Sequence, residues 1–154
     1  MTKRPFNQEA YNECDLKPKQ VLNQIMQLKG YTLIYGLNED NKKKYDMIFQ
    51  KENEKIIFEN EVRSVFDEIK NKYNTIHIPY RKINSIANYY LVWKNNYKEF
   101  ALILFNDIKN SKTVKIKCKE PNKNEIYEEL FFDVPKSICR FFSLNEKTNK
   151  WKLS

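Results

Sequence analysis

Three carboxylates, Asp46, Glu59 and Glu61, stand in a stretch otherwise rich in apolar residues: Asp46-Met-Ile-Phe-Gln, then Ile56-Ile-Phe-Glu59-Asn-Glu61-Val-Arg63. With a two-residue hairpin turn at Glu52-Asn53, Lys51 faces Glu54 and, counting outward, Asp46 faces Glu59. Opposed residues of an antiparallel pair share a face, with Cβ atoms roughly 4.5–5.5 Å apart. Glu61, two residues further on, shares that face. Like charges so placed destabilise a sheet, and burying them is costly unless they are paired. A hard divalent cation resolves the conflict, because Mg²⁺ takes one or two carboxylates and completes its shell with water and phosphate oxygens. The competing reading is a solvated strand edge, with Glu59 and Glu61 among Lys and Arg neighbours.

Cations stand close by in the sequence. Arg63 falls on the Glu59/Glu61 face, and Arg81-Lys82 follows a short strand that should lie beside the carboxylates. Either Arg63 or Lys82 could bring positive charge to a phosphate there, with Lys82 slightly favoured; a solvated turn is the alternative for Arg81-Lys82. A second basic feature is Lys109-Asn-Ser-Lys112-Thr-Val-Lys115-Ile-Lys117-Cys-Lys119, with five Lys and no acid. Lys115, Lys117 and Lys119 alternate with Val114, Ile116 and Cys118, giving a strand with one basic and one apolar face. Arg63, Arg81, Lys112, Lys115, Lys117 and Lys119 are therefore candidate phosphate-backbone contacts. The same Lys pattern also describes an edge strand guarded against aggregation, and both readings stand. Tyr80 and Tyr97 could stack on bases. Phe100, Phe105, Phe131, Phe132 and Phe141 lie in apolar stretches and read as core. His77, between Ile76 and Ile78, reads as structural or substrate-lining.

The elements that must position these groups follow from hydrophobic spacing. Residues 1–17 read as a polar N-terminal extension, with a short helix at Gln8–Cys14, and residues 18–154 as one domain. Pro18 suits a first helical turn, and Val21, Leu22, Ile25, Met26 and Leu28 follow at helical spacing until Gly30. Tyr31–Tyr35, Tyr45–Gln50 and Glu54–Val62 read as three strands of a meander. Ser64–Tyr73 reads as a helix capped by Ser64, crossing the sheet to a strand at Thr75–Ile78. Further strands are expected at Tyr89–Trp93, Phe100–Phe105, Thr113–Cys118 and Leu130–Val134, with a helix at Lys136–Phe142 before a Trp151 tail. The whole reads as α+β with a central mixed sheet.

Composition removes several alternatives. The chain has 154 residues, 41% hydrophobic and 31% charged, the make-up of one globular domain. Only Gly30 and Gly36 are glycines, which excludes Gly-rich phosphate loops. A single His excludes multi-His metal sites, and three Cys without a C-x-x-C point to free thiols in a reducing compartment. The absence of a long apolar run argues against a membrane partner, so the cytoplasm or the nucleoid or nucleus is expected, within the host cell for a viral chain. The net charge of +8 favours a polyanion.

Together these segments resemble the PD-(D/E)xK nuclease superfamily, the restriction-endonuclease-like proteins. That family's core is a helix, three meandering strands, a helix and a further strand, the order read here from Pro18 to Ile78. Its motif, an Asp on the second strand and Glu-x-Lys on the third, matches Asp46, Glu59 and Glu61, with Glu replacing Lys. A minority of restriction endonucleases carry this Glu-x-Glu form. Tyr45 stands where the motif's name has Pro. The resemblance spans roughly 60 residues. It implies a metal-dependent endodeoxyribonuclease with Mg²⁺, or Mn²⁺, on Asp46, Glu59 and Glu61, and Lys82 completing the catalytic set. DNA would be the substrate, and a homodimer would supply the second active site needed to cut both strands. Its rivals are a non-catalytic DNA-binding or virion/assembly protein of the same fold, and an interaction protein whose basic charge is incidental.

Overall fold

In a computed structural model of the chain, which describes residues 16–37, 46–119 and 125–154, the apolar spacing after Pro18 becomes helix α1, Lys17–Leu28. Pro18, Lys19, Leu22 and Met26 are its buried residues, and Leu22 and Met26, one turn apart, are the two that join the hydrophobic core. Gly30 ends it at φ +87°, where the Gly30 N–H donates to the Gln27 carbonyl and the Tyr31 N–H to that of Met26. A residue without a Cβ enters this left-handed conformation at little cost, the usual helix-stop chemistry.

Strands β1 (Thr32–Tyr35), β2 (Met47–Lys51) and β3 (Glu54–Arg63) form the antiparallel meander. Lys51 pairs with Glu54 and Met47 with Phe58, the register that the Glu52-Asn53 turn predicts. Helix α2 (Phe66–Asn71) follows, shorter than expected, with Val65 rather than Ser64 at its N-cap and no side-chain cap bond. Phe66 and Ile69 anchor it in the core, so burial replaces the missing cap.

The next strand, β4 (Thr75–Pro79), does not enter the main sheet. It pairs with β8 (Ile126–Pro135), which pairs with β7 (Thr113–Lys119), in a separate three-stranded sheet. A 3₁₀ turn, Tyr80–Asn84, brings the chain back to β5 (Tyr89–Lys94), and β5 lies parallel to β3. The crossover strand is thus β5 rather than Thr75–Ile78. Strand β6 is Glu99–Leu104; Phe105, expected at its end, instead opens helix α3 (Phe105–Lys109).

The expected helix at Lys136–Phe142 is one 3₁₀ turn, Lys136–Ile138, followed by strand β9 (Arg140–Asn145). The Trp151 tail is strand β10 (Lys150–Leu153). Phe141 packs against the core of one sheet face and Phe142 against that of the other, so side chains alternating across a strand override helical spacing. The main sheet runs β1-β2-β3-β5-β6-β9-β10, with β3–β5 its parallel pair.

Two cores flank this mixed sheet. Leu22 and Met26 of α1 close one face over Met47, Phe49, Phe58, Leu91, Trp93 and Phe100. On the other face Tyr90, Val92, Ala101 and Ile103 meet Phe66, Ile76, Ile78, Phe105, Ile108 and Phe132 from α2, β4, α3 and β8. The chain is one α+β domain of many strands and few helices. The expected helix at Gln8–Cys14, the remainder of the 1–17 extension up to residue 15, and Tyr45 lie outside the described residues. None of the described helices is long and apolar enough to cross a membrane.

Candidate functional site

The carboxylate-bearing end of the β2–β3 hairpin faces the second core. Asp46 stands one residue ahead of β2, at the register position opposite Glu59. Its N–H donates to the Phe58 carbonyl at 3.1 Å, and its Oδ2 accepts the Asn60 N–H at 2.6 Å. Gly36, at φ +126°, lies against the same residue: a Cβ there would come within 2.3 Å of the Asp46 carbonyl oxygen. Only a glycine lets the end of β1 pass this close, so Gly36 helps to place Asp46.

Glu59 is only 5% exposed. Lys82, on the 3₁₀ turn after β4, brings its Nζ to 3.1 Å from Glu59 Oε1, and the buried Ser85 also faces the carboxylate. Glu59 Oε2 has no hydrogen-bond partner among the described residues. Burial pushes this carboxyl above its ordinary range; Lys82 and Ser85 pull it down, and Asp46 raises it further. An ionised, nine-tenths-buried carboxylate with a bare oxygen is poor at holding its charge but well placed to accept a cation.

Glu61 shares the face but has partners of its own. Arg63 Nε donates to Oε1 at 2.6 Å and Nη2 to Oε2 at 3.2 Å, a two-pronged pair. Tyr90, beside Glu59 in the parallel register, donates its hydroxyl to Glu61 Oε2. Burial and then Glu61 push the Tyr90 phenol well above its usual range, so it stays a donor. Arg63 Nη2 also donates to the His77 carbonyl at 2.6 Å, tying β3 to β4.

The structure therefore brings Asp46, Glu59 and Lys82 into one cluster and commits Glu61 to Arg63 and Tyr90. Among the described residues no group of three His, Cys, Asp or Glu is disposed to hold a metal ion. Asp46 and Glu59 fit a Mg²⁺-type ion that takes two carboxylates, on the strength of the buried bare oxygen. Sequence reasoning missed Ser85, Tyr90 and Gly36. Tyr90 reaches the site only through the parallel β3–β5 register, which local spacing does not encode.

The remaining cations are spread outward. Arg81 pairs with Glu129 at 2.9 Å, and Lys112 lies 3.6 Å from Asp133. Lys115, Lys117 and Lys119 project from the exposed face of β7, an outer strand of its sheet, where Lys117 stands opposite Glu128. His77 meets Asp133 at 3.0 Å and has a structural role between β4 and β8. The Tyr80 ring packs 5.0 Å from that of Phe132, and Tyr97 turns between β5 and β6 at φ +61°. Phe100, Phe105 and Phe132 are buried, while Phe131 and Phe141 are half-buried, as are Cys118 and Cys139. Comparison with protein-family models, with curated proteins and with solved structures finds no match to this chain.

Proposed function

We propose that the chain is a metal-dependent endonuclease that hydrolyses DNA phosphodiester bonds, with Asp46 and Glu59 as its metal-site carboxylates. The observation that carries this reading is the buried Glu59, whose Oε2 has no partner among the described residues while Lys82 approaches Oε1. A bound Mg²⁺ or Mn²⁺ supplies a water activated at neutral pH and charge stabilisation of the phosphoryl oxygens. Asp46 and Glu59 hold the ion, and Lys82 presents an ammonium to the scissile phosphate. Glu61 acts through Arg63 and Tyr90, orienting the strand. The order of α1, the β1–β2–β3 meander, α2 and, after the intervening β4 and 3₁₀ turn, the parallel β5 supports the reading, since it resembles the restriction-endonuclease-like order with β4 inserted before the last strand. Lys112, Lys115, Lys117 and Lys119 would follow the DNA backbone outside the site, with Arg63 and Arg81 nearer to it.

A second reading, a DNA-binding or virion/assembly protein of the same fold without catalysis, is favoured by two observations. Both Glu61 oxygens are already engaged, and the Lys82 ammonium occupies one side of Glu59. Incubating the full chain with supercoiled plasmid in Mg²⁺, Mn²⁺ or EDTA separates the two. The nuclease reading expects nicking with metal, loss of nicking in Glu59→Gln, and a Mg²⁺-dependent rise in Tm that Glu59→Gln lacks. Salt-sensitive DNA binding with no nicking in either metal, and no Tm shift, refutes it in favour of the second.

A further inference from the structure

Strand β3 overhangs its parallel neighbour: the first β3–β5 pair is Phe58 with Tyr89, so Glu54–Ile56 run past the start of β5. Beside this overhang lies an open cavity of about 380 Å³, walled in part by Lys55, Asn88, Tyr89, Phe105, Asn106 and Lys109. The volume is in the range of small-ligand sites. Two cations and two amides line it beside Ala87, Tyr89 and Phe105, a mixed polar and apolar lining that can accept an anion carrying a flat, polar-edged ring.

Lys109 is held at the mouth by two anchors. Its Nζ donates to the Ser85 carbonyl at 2.7 Å and lies 5.3 Å from the Phe105 ring centroid. An ammonium has three donors, so two remain for a ligand. Asn88 is also pre-set: its Oδ1 accepts the Ile57 N–H at 2.8 Å, leaving the amide NH₂ as the end offered outward. Glu54, the one acid on the wall, has its Oε2 bonded to the Tyr31 hydroxyl at 3.1 Å. Ser85 joins this cavity to the carboxylate cluster, since it meets Lys109 through its carbonyl and faces Glu59 with its side chain.

We propose that this cavity is a mononucleotide subsite, which takes one nucleotide of the bound strand with its phosphate on Lys109 and Lys55. The choice of a nucleotide rests on the nuclease reading. Its occupancy does not require cleavage or metal. Lys109, through Ser85, then sets the distance between that nucleotide and Glu59.

The test titrates the isotope-labelled full chain with 2′-deoxyadenosine 5′-monophosphate in EDTA at low salt, following backbone amide shifts. Saturable shifts should cluster at Ala87–Tyr89 and Phe105–Lys109, with deoxyadenosine, which lacks the phosphate, binding about tenfold more weakly or worse. Lys109→Ala and Asn106→Asp should each weaken the nucleotide by a similar factor. Lys109→Ala also loosens Ser85, so Asn106→Asp, an exposed position, carries the comparison independently of the fold. The proposal is overturned by shifts that map elsewhere, by equal affinity for deoxyadenosine, or by no saturation up to about 10 mM nucleotide. Nucleotide binding here without plasmid nicking would sink the nuclease reading and leave the subsite standing.

Discussion

Replacing Asp46 separates its structural task from its chemical one. The Asp46 Oδ2 accepts the Asn60 N–H at 2.6 Å, a charge-assisted bond that closes the open end of the β2–β3 hairpin. Asp46→Ala leaves that N–H without its acceptor, at a cost of about 1.5–3 kcal/mol for a bond to a charged group. For a domain of this size each kcal/mol moves Tm by about 2–4 °C, so the variant should melt about 3–12 °C lower. Relief of the Asp46–Glu59 repulsion works the other way, but Asp46 acts on Glu59 less strongly than burial, Lys82 and Ser85, and the offset is partial. From the sequence alone, two opposed carboxylates predict that truncation leaves stability unchanged or higher; the hydrogen bond reverses that expectation. Asp46→Asn keeps a side-chain acceptor and loses only the charge, so its deficit should be about 1 kcal/mol. Both variants should lose nicking and the Mg²⁺-dependent Tm rise. Urea unfolding at pH 7 in EDTA, with unchanged m, reads the first effect, and plasmid nicking reads the second. An Asp46→Ala protein as stable as wild type refutes the capping role, and an Asp46→Asn protein that nicks plasmid normally refutes the metal role.

The pH dependence of Glu59 has a definite sign. Burial raises its folded-state carboxyl above the unfolded value, so the native state binds the extra proton and stability falls as pH rises from the unfolded value through the folded one. Unfolding curves across acidic pH should show this loss in wild type without metal, and Glu59→Gln should lack it; a matching loss in Glu59→Gln would assign it elsewhere. Lys115→Ala with Lys117→Ala should weaken DNA binding at all sequences and flatten the slope of log K against log salt by up to about 0.9 per lost contact. An unchanged slope in filter binding would leave those lysines as guards of an outer strand. Burial pushes the Cys139 thiol up to about 12 against a modest opposing pull from Lys136. Iodoacetamide at pH 8, read by peptide mass, should therefore modify Cys139 far more slowly than a free thiol, and equal rates would contradict its placement.

What the sequence made legible was local. The two-residue turn at Glu52-Asn53 sets the hairpin register by counting, and that count places Asp46 across from Glu59. The α1 stop at Gly30 is likewise a matter of adjacent residues. Strand neighbours across the crossover were not legible in the same way, because Thr75–Ile78 and Tyr89–Trp93 are both β-rich. A signal was present all the same. Tyr-Tyr-Leu-Val-Trp is apolar on both faces, the mark of a central strand, whereas Thr-Ile-His-Ile alternates and suits a strand with one wet face. Lys82 was found on weaker grounds. It was expected to follow a strand beside β3, yet it follows one in the other sheet, and the 3₁₀ turn Tyr80–Asn84 carries it back to Glu59.

The charge balance of the cluster explains how a Glu-x-Glu chain could do the work of a Glu-x-Lys motif under the proposed reading. In that motif one Asp, one Glu and one Lys leave a single negative charge at the metal site. Here Glu61 replaces the Lys, which taken alone would leave three. Arg63, two residues on, pairs with Glu61 through both of its oxygens and cancels it within the strand. Lys82, from a different element, pairs with Glu59. Asp46, Glu59 and Lys82 then carry the same net charge as the motif, with the ammonium arriving from across the site rather than along β3. A divalent cation would turn that single negative charge positive, so the cluster repels a phosphate when empty and attracts one when loaded. Under that reading Arg63 is part of the substitution, since an uncompensated Glu61 would leave the loaded site neutral rather than positive and remove its attraction for a phosphate.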